Sequence, residues 1–175
     1  MRTKLLHDDA GERTFAVIFD TGEDPVAGLT RFAEQENITG AAFTAIGAFS
    51  EAMLGYFDWE KKDYEKIAVR EQVEVLAFVG DIAIEKDNRK KLHAHVVLGR
   101  RDGSACGGHL LSAKVRPTLE VIVNETPGYL RRRHDPETGL TLIREREQPK
   151  TPPRPRKRSP HSGRKQAPRR PPRRR

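Results

Sequence analysis

Residues 91–111 have the sequence KLHAHVVLGRRDGSACGGHLL and contain three of the six histidines of the chain, His93, His95 and His109. The first two form an H-x-H pattern inside an apolar run. Side chains alternate along a β-strand, so both imidazoles point to the same face, about 6–7 Å apart along the backbone. This spacing allows two ring nitrogens to bind one ion.

The third histidine follows a turn that is rich in glycine. The pairs Asp102-Gly103 and Gly107-Gly108 favour a hairpin that brings His109 back beside the other two. Three neutral imidazoles with a fourth position open are the ligand set of a zinc-type site, with Zn–N distances of about 2.0–2.1 Å. We therefore predict that His93, His95 and His109 bind zinc or another divalent transition metal.

The phase of this hairpin decides whether the site can form. A strict two-residue turn places His95 opposite Leu110, and His109 then points to the wrong side of the sheet. A bulge at Gly107-Gly108 adds one residue and reverses the phase, so the metal hypothesis predicts an irregular backbone there. The alternative is that the first two histidines are semi-buried strand residues and that the third is an unrelated loop residue.

The length and the cysteine content limit the class of protein. A chain of 175 residues suits one domain with an appendage. The single cysteine, Cys106, excludes an internal disulfide and indicates a reducing compartment. No stretch approaches the about 18 apolar residues of a membrane span, and the first residues lack the apolar region of a signal peptide. We expect a cytoplasmic protein.

The hydrophobic pattern predicts an α+β fold, a mostly antiparallel sheet of seven or eight strands with one main helix. Asp24 is the expected N-cap, Pro25 the first helical residue, and the helix runs to about Glu36. Strands are predicted at residues 13–20, 41–49, 51–58, 64–70, 73–84, 93–99, 109–115 and 118–124. Residues 73–84 form either one bulged strand or two strands joined by a bend.

Charge divides the chain into two parts. Residues 149–175 contain twelve Lys or Arg and no Asp or Glu, which leaves 21 basic and 25 acidic residues in 1–148. The predicted globular domain is thus about −4 and the following segment +12. The segment also has eight of the twelve prolines and no large apolar side chain, so we predict an extended, disordered tail whose partner is a polyanion.

The basic tail favours nucleic acid as its partner. Each Lys or Arg that meets a phosphate releases counterions, which gives steep salt dependence and little sequence preference. Residues 153–158, PRPRKR, resemble the core of an AT-hook but lack its glycine between two arginines. We predict DNA binding that is non-specific or weakly A·T-preferring. The residues expected to contact DNA are Arg154, Arg156, Lys157, Arg158, Arg169 and Arg170.

Several motifs in order resemble the plants-and-prokaryotes conserved (PPC) domain. They are GAFSEAMLGYFD at 47–58, VGDIAI at 79–84, HAH at 93–95, DG…GGHL at 102–110 and TLEV at 118–121. The resemblance covers about residues 13–145. It implies an α/β domain with an antiparallel sheet that assembles as a homotrimer, and a metal, zinc, bound by His93, His95 and His109. The family also includes plant nuclear proteins in which the domain accompanies AT-hooks.

Two functional hypotheses remain open at this stage. The first is a DNA-binding, nucleoid-associated protein whose metal-binding domain displays basic arms. The second is a metal-dependent enzyme or a small-ligand-binding domain, in which Asp81 or Glu120 is a candidate acid or base. The metal can also be purely structural. No further catalytic motif occurs in the sequence.

Overall fold

The structure is a computed structural model that describes residues 1–126, 128 and 130–144, all within the unit Met1–Glu145. The described residues form one α-helix, α1 (Pro25–Gln35), a short 3-10 turn at Lys86–Asn88 and nine strands. The strands are β1 (Arg2–Asp9), β2 (Glu12–Asp20), β3 (Gly40–Asp58), β4 (Asp63–Val69), β5 (Val73–Ile84), β6 (Lys90–Gly99), β7 (Ala105–Glu125), β8 (Arg132–His134) and β9 (Thr141–Ile143).

Helix α1 begins and ends close to the predicted residues. The carboxylate of Asp24 accepts hydrogen bonds from the N–H groups of Val26 at 2.8 Å and Ala27 at 3.1 Å. These bonds satisfy two of the amides that have no partner within the helix. Leu29 and Phe32 are fully buried on the inner face of the helix, so this apolar face packs against the sheet.

Seven strands form one antiparallel sheet in the order β1-β2-β7-β6-β5-β3-β4, and β7 also pairs with β3. The predicted α+β class with an antiparallel sheet is confirmed. Since β3, β5, β6 and β7 pair in a closed circuit, their inner faces enclose a single core. Phe43 and Phe78 meet there edge to face, with ring centroids 5.1 Å apart.

Two predicted pairs of strands are single long strands. Residues 41–49 and 51–58 both belong to β3, and residues 109–115 and 118–124 both belong to β7. The pairing register between them shifts at several points instead of ending. At Gly47, φ is +154° and an added Cβ would lie 2.3 Å from the carbonyl oxygen of Thr118. The bend therefore occurs inside a continuous strand, where only glycine fits.

Strand β1 was not predicted from the sequence. It pairs with β2 from Arg2↔Ile18 to Asp9↔Glu12. All of its residues are exposed, so it lacks the alternation of apolar and polar residues that marks a half-buried strand. Residues 73–84 form one strand with a register shift between Val75 and Ala77, which is the bulged alternative. Within the described part of the chain, no helix is long and apolar enough to cross a membrane.

Candidate metal centre

A three-residue turn reverses the chain between β6 and β7. The N–H of Arg100 donates to the carbonyl of Ser104 at 2.8 Å, and the N–H of Gly103 donates to the carbonyl of Arg100 at 3.0 Å. Gly103 has φ of +82°, a left-handed conformation that glycine adopts without strain. Asp102 stabilises the turn, because its carboxylate accepts from the N–H of Ser104 at 2.9 Å.

This turn sets the phase of the hairpin. His95 pairs directly with His109, and the ladder continues without a shift through Val96↔Gly108 and Val97↔Gly107. The predicted irregularity at Gly107-Gly108 is therefore wrong in this ladder, because the additional residue lies in the turn itself. His109 is a strand residue, which also excludes the alternative that it belongs to an unrelated loop.

The three imidazoles lie together on one face of the sheet. One potential ligand atom from each of His93, His95 and His109 lies within 4.8 Å of the other two. The Nε2 atoms of His93 and His95 are 3.3 Å apart. Two nitrogens that bind one tetrahedral zinc ion are also about 3.3 Å apart. The separation between His93 and His95 therefore suits a shared ion.

Tyr64 of β4 supports His109 from the side of β3. The two rings stack with centroids 4.8 Å apart and an interplanar angle of 29°. Gly55 lies between them, since it pairs with His109 on β7 and is next to β4 on its other side. A Cβ at Gly55 would lie 2.7 Å from Tyr64 Cδ1, so the stacked arrangement requires a residue without a side chain at this position.

His109 is held in its neutral form. Burial, with smaller effects from His93 and His95, lowers the pKa of His109 to about 4. Its Nδ1 atom is buried and has no hydrogen-bond partner among the described residues. A buried polar atom without a partner is costly in free energy unless a ligand binds it.

An acid and an arginine support His93 from the opposite side. Asp81 of β5 pairs with His93 in the ladder, and its Oδ2 is 3.8 Å from His93 Nδ1. Arg132 Nη2 donates to Asp81 Oδ1 at 2.6 Å, and Arg132 Nη1 donates to the carbonyl of Thr141 at 3.0 Å. Burial and the nearby Arg132 lower the pKa of His93, while Asp81 opposes this effect.

These residues fit a divalent transition metal. Neutral imidazoles are the ligands that zinc, copper, nickel and iron accept, and the lowered pKa values of His93 and His109 favour the neutral rings, in which one nitrogen carries no proton and can bind a metal. A carboxylate behind a metal-binding histidine fixes the orientation of its ring. Asp81 has the position for this role, and Arg132 holds Asp81.

Of the other functional residues that were proposed from the sequence and lie in the described ranges, only Asp81 lies near the three histidines. Asp81 lies beside the histidines, whereas Glu120 pairs with Ile46 on β3. Cys106 pairs with Leu98 and is not part of the cluster. Tyr64 and Arg132 were not singled out from the sequence, because they come from other strands and only the pairing registers bring them near. The predicted DNA-contacting residues, Arg154, Arg156, Lys157, Arg158, Arg169 and Arg170, lie outside the described residues.

Residues 7–127 match the profile of the Plants and Prokaryotes Conserved (PCC) domain. A metal-containing protein of Archaeoglobus fulgidus is 39% identical, with a TM-score of 0.70, over 75% of this chain and 93% of that one. A plant- and prokaryote-conserved protein of Pyrococcus horikoshii is 27% identical, with a TM-score of 0.71, over 84% and 97%. A candidate DNA-binding protein of Bacteroides thetaiotaomicron is 27% identical, with a TM-score of 0.71, over 81% and 96%. No curated protein matches the chain.

Proposed function

Since the chain belongs to the Plants and Prokaryotes Conserved domain family, we propose that it is a metal-binding and DNA-binding member of that family. The domain holds a divalent transition metal, and the basic segment 149–175 binds DNA. The observation that carries the metal assignment is the cluster of three imidazoles on one sheet face. The metal-containing relative of Archaeoglobus fulgidus supports it.

His93, His95 and His109 are the proposed ligands, and zinc is the proposed metal. Asp81 and Arg132 orient His93, and Tyr64 supports His109. Held by these three residues with an open position, a zinc ion would supply Lewis acidity. This chemistry is the basis of the second candidate function, a metal-dependent enzyme or ligand-binding domain, and the cleft beside the histidines favours it.

Metal content tests the first part of the proposal. Elemental analysis of the purified full chain should find about one zinc or other transition-metal ion per chain. The His95→Ala variant should lose most of it, while His7→Ala, a change on the exposed strand β1, should keep it. Equal metal content in His95→Ala and the unaltered protein would refute the assignment.

The DNA-binding part rests on the charge of the chain. Residues 149–175 have twelve basic residues and no acidic ones, whereas residues 1–148 have a net charge of about −4. A negative domain repels DNA at long range, so the proposed contact surface is the segment. The candidate DNA-binding relative of Bacteroides thetaiotaomicron is consistent with this function. A nucleoid-associated location in the cytoplasm follows from it.

A salt series on a full-length variant tests the DNA-binding part. We replace six residues by glutamine, namely Arg154, Arg156, Lys157, Arg158, Arg169 and Arg170. If all six contact phosphates, the slope of log K against log salt should become shallower by about 5. Fluorescence anisotropy with a labelled duplex measures it. An unchanged slope would refute contacts between these six residues and DNA. Comparison of A·T-rich with G·C-rich duplexes measures the weak A·T preference.

A homotrimer is the proposed assembly. The sheet face that carries the histidines also exposes four apolar residues, which are Ile46, Val79, Val97 and Ile122. Thr44 pairs with both Val79 and Ile122, so these side chains share its face. An exposed apolar cluster of this kind is typical of a contact surface between proteins. Sedimentation should give three times the 19.8-kDa chain mass, and Ile46→Glu should lower it; a monomeric unaltered protein would refute the assembly.

A further inference from the structure

A cleft of about 400 Å³ lies beside the histidines. The ladder between β6 and β7 ends at His95↔His109, and residues 91–94 of β6 and 109–111 of β7 line the cleft beyond that point. Residues 139–142, which include the first two residues of β9, form another wall. This volume is within the usual range of small-molecule sites, about 300–1,000 Å³. We call this space the β6–β7 cleft.

The charged groups of the β6–β7 cleft are cationic. Lys91 and Arg132 line it, and none of the described lining residues is acidic. The side chain of Arg132 is only 5% exposed, and its charge is balanced by the bond to Asp81. Lys91 is exposed and forms no ion pair within the described residues. One uncompensated positive side chain therefore faces the cleft, next to two of the proposed metal ligands.

The remaining walls are apolar. Leu111, Leu140 and Leu142 are half-buried and line the β6–β7 cleft together with Val26 of α1. An inorganic anion would leave these side chains in contact with water. A ligand with a hydrocarbon part would cover them, and each buried CH₂ contributes about 0.8 kcal/mol. The apolar walls thus favour an organic anion.

We propose that the β6–β7 cleft binds a small monocarboxylate with an apolar chain or ring. The carboxylate faces Lys91 and the histidines, and the carbon atoms contact Leu111, Leu140 and Leu142. Lys91 is the single uncompensated cationic side chain among the described lining residues, and the carboxylate neutralises it. This inference rests on the proposed metal centre for its second cationic contact, and it specifies the ligand class of the second candidate function.

Hexanoate is the probe that tests the proposal, by isothermal titration calorimetry on the full-length, zinc-loaded protein. Acetate lacks the apolar chain and hexan-1-ol lacks the charge, so each should bind at least about tenfold more weakly than hexanoate. Lys91→Gln should weaken hexanoate binding about fivefold to tenfold. The control Lys114→Gln changes an exposed lysine that pairs with Glu51 outside this cleft, and it should leave hexanoate binding unchanged.

Three results would overturn the proposal. They are equal affinities for hexanoate and hexan-1-ol, an unchanged affinity in Lys91→Gln, and tighter binding of hexyl phosphate than of hexanoate. Metal content measured on the same samples separates this failure from that of the metal centre. If the protein binds zinc but not hexanoate, the ligand proposal is refuted and the metal centre is not. If the protein takes up no zinc but binds hexanoate through Lys91, the ligand proposal is supported and the metal centre is refuted.

Discussion

Two ion pairs of equal length connect distant parts of the domain. Arg13 Nε donates to Glu125 Oε2 at 2.6 Å, and Arg132 Nη2 donates to Asp81 Oδ1 at 2.6 Å. Both arginines are largely buried, with side chains 25% and 5% exposed. The bonds are alike in geometry, so the difference between the pairs must come from what surrounds them.

The neighbours of the two pairs have different roles. Arg13 also donates to the carbonyl of Glu36 at 2.9 Å, so this pair ties β2 and β7 to the end of α1. Asp81 instead reaches His93, so the second pair connects β8 to a candidate metal ligand. We therefore expect the first pair to stabilise the fold and the second pair to support the candidate metal site.

The largest expected effect is a loss of stability on removal of the first ion pair. Arg13→Met should lower the free energy of unfolding by about 3 kcal/mol, because it leaves the buried carboxylate of Glu125 without its cation. Urea denaturation of the metal-free protein measures the loss. Zinc affinity should stay within about twofold of the original value. A larger change in affinity would mean that the first pair also supports the site.

The second effect is on metal affinity. Arg132→Met should weaken zinc binding about 10- to 100-fold, because Asp81 loses the partner that holds it beside His93. Competition with a chelator of known affinity measures the change, and Arg132→Lys should restore part of it. If Arg132→Met lowers stability but leaves zinc affinity as it was, this pair is structural like the first one.

The smallest effect concerns an uncharged support of the same centre. Tyr64→Leu removes the ring that stacks on His109 and should cost about 1 kcal/mol of stability. Tyr64→Phe keeps the ring and should be nearly neutral, since no hydrogen bond of the hydroxyl is found within the described residues. Thermal unfolding of both variants measures the difference. Equal losses would assign the effect to the hydroxyl group instead of the ring.

The histidines could be predicted from the sequence because they are local. All three lie within residues 93–109, and a strand, a turn and a second strand suffice to bring them together. The pairing register of this hairpin, which decides the side to which His109 points, was harder to predict. A turn of two residues and a turn of three residues both fit the same Asp-Gly sequence. Hydrogen bonds at Arg100 and Gly103 select the longer turn.

The supporting residues could not be predicted because their contacts depend on the order of the strands. Tyr64 lies two strands from His109, and Arg132 reaches Asp81 from a sequence separation of 51 residues. Local periodicity contains no information about either contact. Local periodicity also failed to predict the edge strand β1, whose residues are all exposed. A strand without a buried face leaves no pattern to recognise.

Strand β8 has a consequence for how relatives of this protein should be compared. The family match ends at residue 127, but Arg132, the residue that holds Asp81, comes five positions later. An alignment limited to residues 7–127 therefore omits Arg132. Relatives that share the histidines but diverge after the match are expected to differ in metal retention, so alignments trimmed to the family boundary would group proteins with unlike properties.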